Sequence, residues 1–201
     1  MTVKKALILL FLFGVISPVM MAQSVFSTFD VGLSGDVIIN NNSLLDNWSP
    51  TGGAVLEARS PYYAGEMEAG VRYVYFSEDQ FDNSGFRSIF LFIGWSYPVS
   101  IVDRLTLSPG FRLGNHFMWQ DNSKEYFAEP GGDPFVFHRN ESEFAYEVQL
   151  RAAYKLTNRT NLQLSTSYNR TAIQIPLSLV YAEVGLSRTF NTPDWLQKLV
   201  K

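Results

Sequence analysis

Cysteine is absent from the 201 residues and histidine occurs only twice. No disulfide framework and no lipid-attachment cysteine is available, and two histidines with scattered acids do not make a metal site. No cofactor is expected. Charge is sparse: Asp, Glu, Lys and Arg make up 17% of the chain and the formal net charge is −3. With no basic tract, nucleic acid is not an expected partner. After residue 22 no apolar run approaches the ~20 residues of a membrane-crossing helix. Aromatic rings, by contrast, are plentiful, with 16 Phe, 10 Tyr and 4 Trp.

Lys4 and Lys5 precede an apolar run from Ala6 to Val19 and then Met20-Met21-Ala22-Gln23. That order of basic, apolar and small residues is the pattern of a secretory signal peptide. The expected division is a signal over 1–22, a barrel over 23–190 and a short tail over 191–201. Loss of Lys4 and Lys5 takes the net charge from −3 to −5.

The most informative stretch runs from Phe144 to Leu156. Phe144, Tyr146, Val148, Leu150, Ala152, Tyr154 and Leu156 alternate with Ala145, Glu147, Gln149, Arg151, Ala153 and Lys155. Apolar residues at every second position would ring a helix completely, whereas on a strand they share one face. The strand is long, since a globular strand averages about 5–6 residues. One crossing a membrane at a tilt needs about 9–11.

Similar alternation recurs before and after it. First come Phe29 to Ile38, then Ala54 to Arg59, then Met67 to Tyr75, with Asn40 to Pro50 reading as the intervening loop. Ser88 to Tyr97 alternates least, which leaves its facing open. Leu105 to His116 contains Pro109, an objection to a strand unless it sits at a bulge or strand end. Leu162 to Tyr168 and Val180 to Phe190 complete about eight strands. Connections near 39–50, 77–86 and 119–140 are long, and those near 60–65, 98–103 and 157–160 are short. Arg170 to Pro176 is a short exception on the long-loop side. This parity predicts an all-β, eight-stranded antiparallel up-and-down transmembrane β-barrel, polar inside and apolar toward lipid. A soluble sandwich or lipocalin-like barrel would instead turn the apolar faces inward.

In the last strand Glu183, Gly185 and the aromatic Phe190 form a closing pattern. It resembles that of the small outer-membrane β-barrel families of the OmpA/OmpX type, over about Gln23 to Phe190. Arg188 departs from the pattern, standing where the family usually has an apolar residue. The resemblance implies an outer-membrane protein of a Gram-negative-type bacterium, inserted by the outer-membrane assembly machinery reading this strand.

The polar strand faces would fill the lumen with the acids Asp30, Asp36, Glu57, Glu68, Glu147 and Glu183. Its bases would be Arg59, Arg72, Arg112, Arg151 and Lys155. Such near balance suits paired ions in a closed barrel better than the single-sign lining of a pore. Tyr73, Tyr75, Trp95, Tyr97, Tyr154 and Tyr168 are expected to face lipid near the interfaces. Trp119, Tyr126, Phe127, Phe135 and Phe137 offer a loop recognition surface for an extracellular ligand, or pack over the mouth. His116 and His138 have no serine at a recognisable spacing, so no catalytic constellation emerges. The expected role is structural or adhesive, as a monomer among outer-membrane lipid and lipopolysaccharide with both termini periplasmic. The alternatives are a lipid A deacylase-like enzyme and a small-solute pore. Thr192, Pro193 and Asp194 would start a short helix in the tail.

Overall fold

The computed structural model describes residues 26–40, 45, 48–78, 85–120, 126–127, 134–135, 140–172 and 177–193. The expected signal peptide and most of the tail, from Asp194 onward, lie outside them, as do Phe137 and His138.

Eight long strands form the wall: β1 (Thr28–Ile38), β2 (Trp48–Tyr62), β3 (Gly65–Glu78), β4 (Phe86–Ser96), β5 (Leu105–Gln120), β6 (Asn140–Lys155), β7 (Thr160–Thr171) and β8 (Leu177–Asn191). Each pairs antiparallel with its sequence neighbours, and β1 pairs with β8 from Thr28↔Asn191 to Ile38↔Tyr181, which closes the barrel. Closure leaves no long unpaired edge on the wall. The short strand Val99–Val102 adds a hairpin on the β5 side at the short-turn end. Within the long β5–β6 connection, Tyr126–Phe127 and Pro134–Phe135 form a small ladder of their own.

The facing follows the alternation of the sequence. On β6, Phe144, Tyr146, Val148, Leu150 and Tyr154 are exposed, while Ala145, Glu147, Gln149 and Arg151 are buried. Val148 is 56% exposed and its neighbour Glu147 is 0% exposed, so apolar side chains point outward and a charge points inward. That is the reverse of a soluble barrel and matches a wall solvated by lipid. Tyr73, Tyr154 and Tyr168 are exposed on the outer face, and Tyr75, Trp95 and Tyr97 are half-buried.

The ambiguous β4 turns Ser88, Phe90, Phe92 and Ser96 inward, and Leu91 and Ile93 outward. Pro109 lies well inside β5, and its carbonyl accepts from Tyr97 N at 2.9 Å. In an antiparallel strand a residue's N–H and C=O point to the same neighbour. The missing donor therefore faces Tyr97, just past the end of β4, so proline forgoes only the reciprocal bond at the end of that ladder.

Trp48-Ser49-Pro50, read as loop, belongs to β2. The register between β2 and β3 slips between Pro50 and Gly53, where Gly52 has φ +100°. This bulge carries the strand past the turn-forming residues and up to the mouth. A Cβ at Gly53 would stand 1.9 Å from Asp36 Oδ1, so only glycine lets that carboxylate lie against the backbone.

Candidate functional site: the lumen

Four arginines on four strands organise the charged section of the lumen. Arg72 on β3 meets Asp36 of β1 (Nε–Oδ2 2.8 Å), and its two terminal nitrogens go to Glu147 of β6 and Glu183 of β8. Its guanidinium also lies 4.0 Å from the centroid of the Tyr181 ring. Arg112 on β5 reaches Glu147 at 2.9 Å, Glu57 at 2.5 Å and Glu68 at 3.2 Å, with Phe92 4.2 Å beneath its guanidinium. Arg151 on β6 contacts Glu68 at 3.1 Å and Glu66 at 3.2 Å, and donates to Ser96 Oγ at 3.1 Å. Arg59 on β2 lies 3.4 Å from Glu57. With its amide oxygen turned toward them, Gln163 accepts from both Arg59 and Ser187.

The carboxylates are shared in turn. Glu147 takes Arg72, Arg112 and Asn169, and Glu68 takes Arg112, Arg151 and Gln149. Multiple partners are what a desolvated charge requires, because one contact does not replace its hydration.

Of the eleven charged residues expected here, Asp36, Glu57, Arg59, Glu68, Arg72, Arg112, Glu147, Arg151 and Glu183 are buried in the lumen. The other two stand apart. Asp30 is half-buried in register with Arg59 but joins no ion pair among the described residues. Lys155 is exposed at the short-turn rim, where it is the last residue of β6 and pairs with Asn161 at the end of the ladder. Glu66 enters the network unannounced; it continues the inward series of Glu68 and Arg72, one step earlier than β3 was taken to begin.

Above the charged section, His116 is 2% exposed and hydrogen-bonded to Ser88 Oγ and, at 2.7 Å, to Thr171 Oγ1. Thr171 contacts Asn169 at 3.3 Å, and Asn169 donates to Glu147, so this layer is tied to the ion network. Sequence spacing offered His116 no serine; strand pairing supplies Ser88 from β4.

Nearer the long loops the lumen changes character. Val74, Phe76, Phe86, Leu177, Leu179 and Tyr181 form a buried apolar cluster, with Ile38, Leu45, Trp48 and Met118 packed against it. The Phe76 and Phe86 rings stack at 4.4 Å, and Trp48 meets Phe86 edge-on at 5.7 Å. This plug was not foreseen, since the polar faces alone were assigned to the interior.

Trp119 lies in β5 with its ring stacked on Phe117 at 5.8 Å. Tyr126, Phe127 and Phe135 are placed by backbone pairing only, and Phe137 is not described. Glu183 points into the lumen, Gly185 pairs with Ser34, and Phe190 stacks on Phe29 at 5.3 Å. Among the described residues no group of His, Cys, Asp and Glu is arranged to hold a metal ion.

The architecture has solved counterparts. Neisserial surface protein A matches over 82% of this chain and 97% of its own, with 12% identity and a TM-score of 0.54. The N-terminal β-barrel domain of Pseudomonas aeruginosa OprF matches over 83% and 99%, with 9% identity and a TM-score of 0.49. Ail, the attachment invasion locus protein of Yersinia pestis, matches over 81% and 97%, with 9% identity and a TM-score of 0.45. No family model and no curated protein matches the chain. The likeness to the neisserial protein is one of fold: the chain has the fold of the small outer-membrane β-barrels.

Proposed function

We propose that this is an outer-membrane barrel with a closed lumen, which anchors and displays its long loops and does not conduct solutes. The supporting observation is the filling of the lumen: Arg72, Arg112 and Arg151 span it in ion pairs, and the Phe76–Phe86–Leu179 cluster covers them on the loop side. An eight-stranded barrel has an interior that side chains can fill. Residues 1–22 act as a cleaved signal, 23–190 as the barrel and 191–201 as a periplasmic tail. The chain works as a monomer, inserted by the assembly machinery through its β8 pattern, with lipopolysaccharide around the loop end. The role is structural or adhesive, through the β5–β6 connection that carries its own small ladder.

The Ser88–His116 contact favours a second reading, a lipid-modifying hydrolase. Both side chains are only 2% exposed and lie beneath the apolar plug. A general base must reach the substrate's reacting atoms, so this pair serves packing in the closed barrel. Lipopolysaccharide incubated with the folded protein is expected to keep all its acyl chains.

Planar-bilayer recording tests the closed state. Wild-type protein is expected to give no sustained current, and Arg151→Ala to introduce leak by leaving Glu66 and Glu68 short of a cation. Steady nanosiemens-scale openings from the wild type would overturn the proposal.

A further inference from the structure

Outside the lumen, positive charge is gathered on one arc of the short-turn rim. Arg188 occupies an outward position on β8, in register with Val31 of β1 and Thr160 of β7. Its neighbours along that face are Leu186, 51% exposed to the lipid side, and Phe190. The guanidinium lies 5.7 Å from the Phe190 ring centroid, so the side chain runs toward the rim over the stacked Phe29–Phe190 pair. An arginine buried along its stem and wet at its head behaves in this way at a membrane interface.

Three further cations adjoin it. Arg159 is tied to the same strand by the bond from Thr189 N to Arg159 O at 2.8 Å. Lys155 donates its backbone N–H to Arg104 O at 2.8 Å, which joins the next two turns along the rim. All four side chains are exposed, and none makes an ion pair with a described residue. Asp103 is the one carboxylate among the described residues of these turns. The opposite arc, at the β2–β3 turn, carries Tyr62, Tyr63 and Glu66, and Glu66 is already held by Arg151.

We propose that this arc, centred on Arg188, is a binding surface for the phosphate of an anionic phospholipid. The inference rests on the outer-membrane reading above. A guanidinium at the apolar–polar boundary takes two phosphate oxygens at once. Arg159, Lys155 and Arg104 add field that favours a lipid of net negative charge over a zwitterion. The greasy strip of Leu162, Leu186 and Leu33 above it receives the acyl chains of the same molecule. One lipid thus meets both parts of the surface, which a soluble phosphate would not.

The test uses the full chain folded into nanodiscs of equal parts phosphatidylglycerol and phosphatidylethanolamine. Native mass spectrometry reads the lipids that stay bound, and heat-modifiable gel mobility reports folding separately. The wild type is expected to retain phosphatidylglycerol about fivefold in excess, the preference that a single interfacial cation supports. The excess should fall to near parity in an R188Q/R159Q/K155Q variant and when salt shortens the screening length. Arg170→Gln, which removes an outward cation at the other end of β7, should keep it. Loss in Arg170→Gln alone, or no preference in a folded wild type, overturns this inference and leaves the barrel reading standing. A chain that does not fold with lipid overturns the outer-membrane reading and this inference with it.

Discussion

Toward the long loops the lumen holds stacked rings and aliphatic chains, whereas a few ladder steps lower it holds five buried carboxylates, with Glu66 at their edge, among four arginines. Both sections are filled, by opposite means. The apolar section needs only volume: Phe76, Phe86 and Leu179 exclude water by filling space, and similar shapes would do as well. The charged section needs partners in fixed number, because each desolvated group regains its lost hydration only through several contacts at once. The two also depend on each other. Apolar side chains packed beside the ions lower the local dielectric, which strengthens the pairs beneath and raises the cost of breaking one. One section should therefore tolerate isosteric change and the other should not.

The largest effect is expected from Glu147→Gln, which keeps the volume and removes the charge that Arg72 and Arg112 share. It should cost about 3–5 kcal/mol, the loss typical of breaking a buried pair from one side. Urea unfolding of the barrel in liposomes measures it. A loss under about 1 kcal/mol would place the network in the range of solvated surface pairs and break the contrast. In the apolar section Leu179→Met, an equally volume-conserving swap, should cost less than about 1.5 kcal/mol in the same assay. A larger penalty there would mean that the plug is as exacting as the network.

These two sections were unequally legible in the sequence, for a physical reason. A charge in the middle of an otherwise apolar strand marks its inward face, so Glu57, Arg72, Glu147, Arg151 and Glu183 were readable from alternation, whereas near strand ends Arg170 and Arg188 point outward. The plug erases that signal, because lipid and plug both call for apolar side chains. Along β3 the series Val71, Tyr73, Tyr75 faces out while Val74 and Phe76 face in, and nothing in hydropathy separates them. On β4, Phe90 and Phe92 point inward against His116 and Arg112, which is why its facing stayed open. Periodicity is also silent on where a strand reaches the rim. Lys155 keeps the inward phase of Arg151 yet emerges at the rim, and Glu66 keeps the phase of Glu68 and was left out. The turn residues Ser49-Pro50 concealed the start of β2, although they pair with Ser77 and Phe76 and the bulge after them does not end the strand. Cross-strand partners such as Ser88 for His116 depend on register, which single-strand patterns do not carry.

The smallest effect belongs to the layer between the two sections, where His116 bonds Ser88 and Thr171. If this layer only joins plug to network, its polar groups are there to satisfy one another. Ser88→Ala removes one partner and should cost about 1 kcal/mol, the net worth of one hydrogen bond. His116→Phe should cost more, because it leaves the Ser88 hydroxyl buried without its acceptor or donor, while Thr171 keeps Asn169. Combined, the two changes extend the apolar section downward past Phe90, whose ring centroid already lies 6.0 Å from that of His116. The double variant should then be more stable than His116→Phe alone, since replacing both partners by apolar groups is close to neutral. A double-mutant cycle measured by urea unfolding in liposomes should give a coupling of about 1 kcal/mol between positions 88 and 116. Strict additivity would mean that His116 is held by Thr171 alone, with the boundary between the sections one residue nearer the loops.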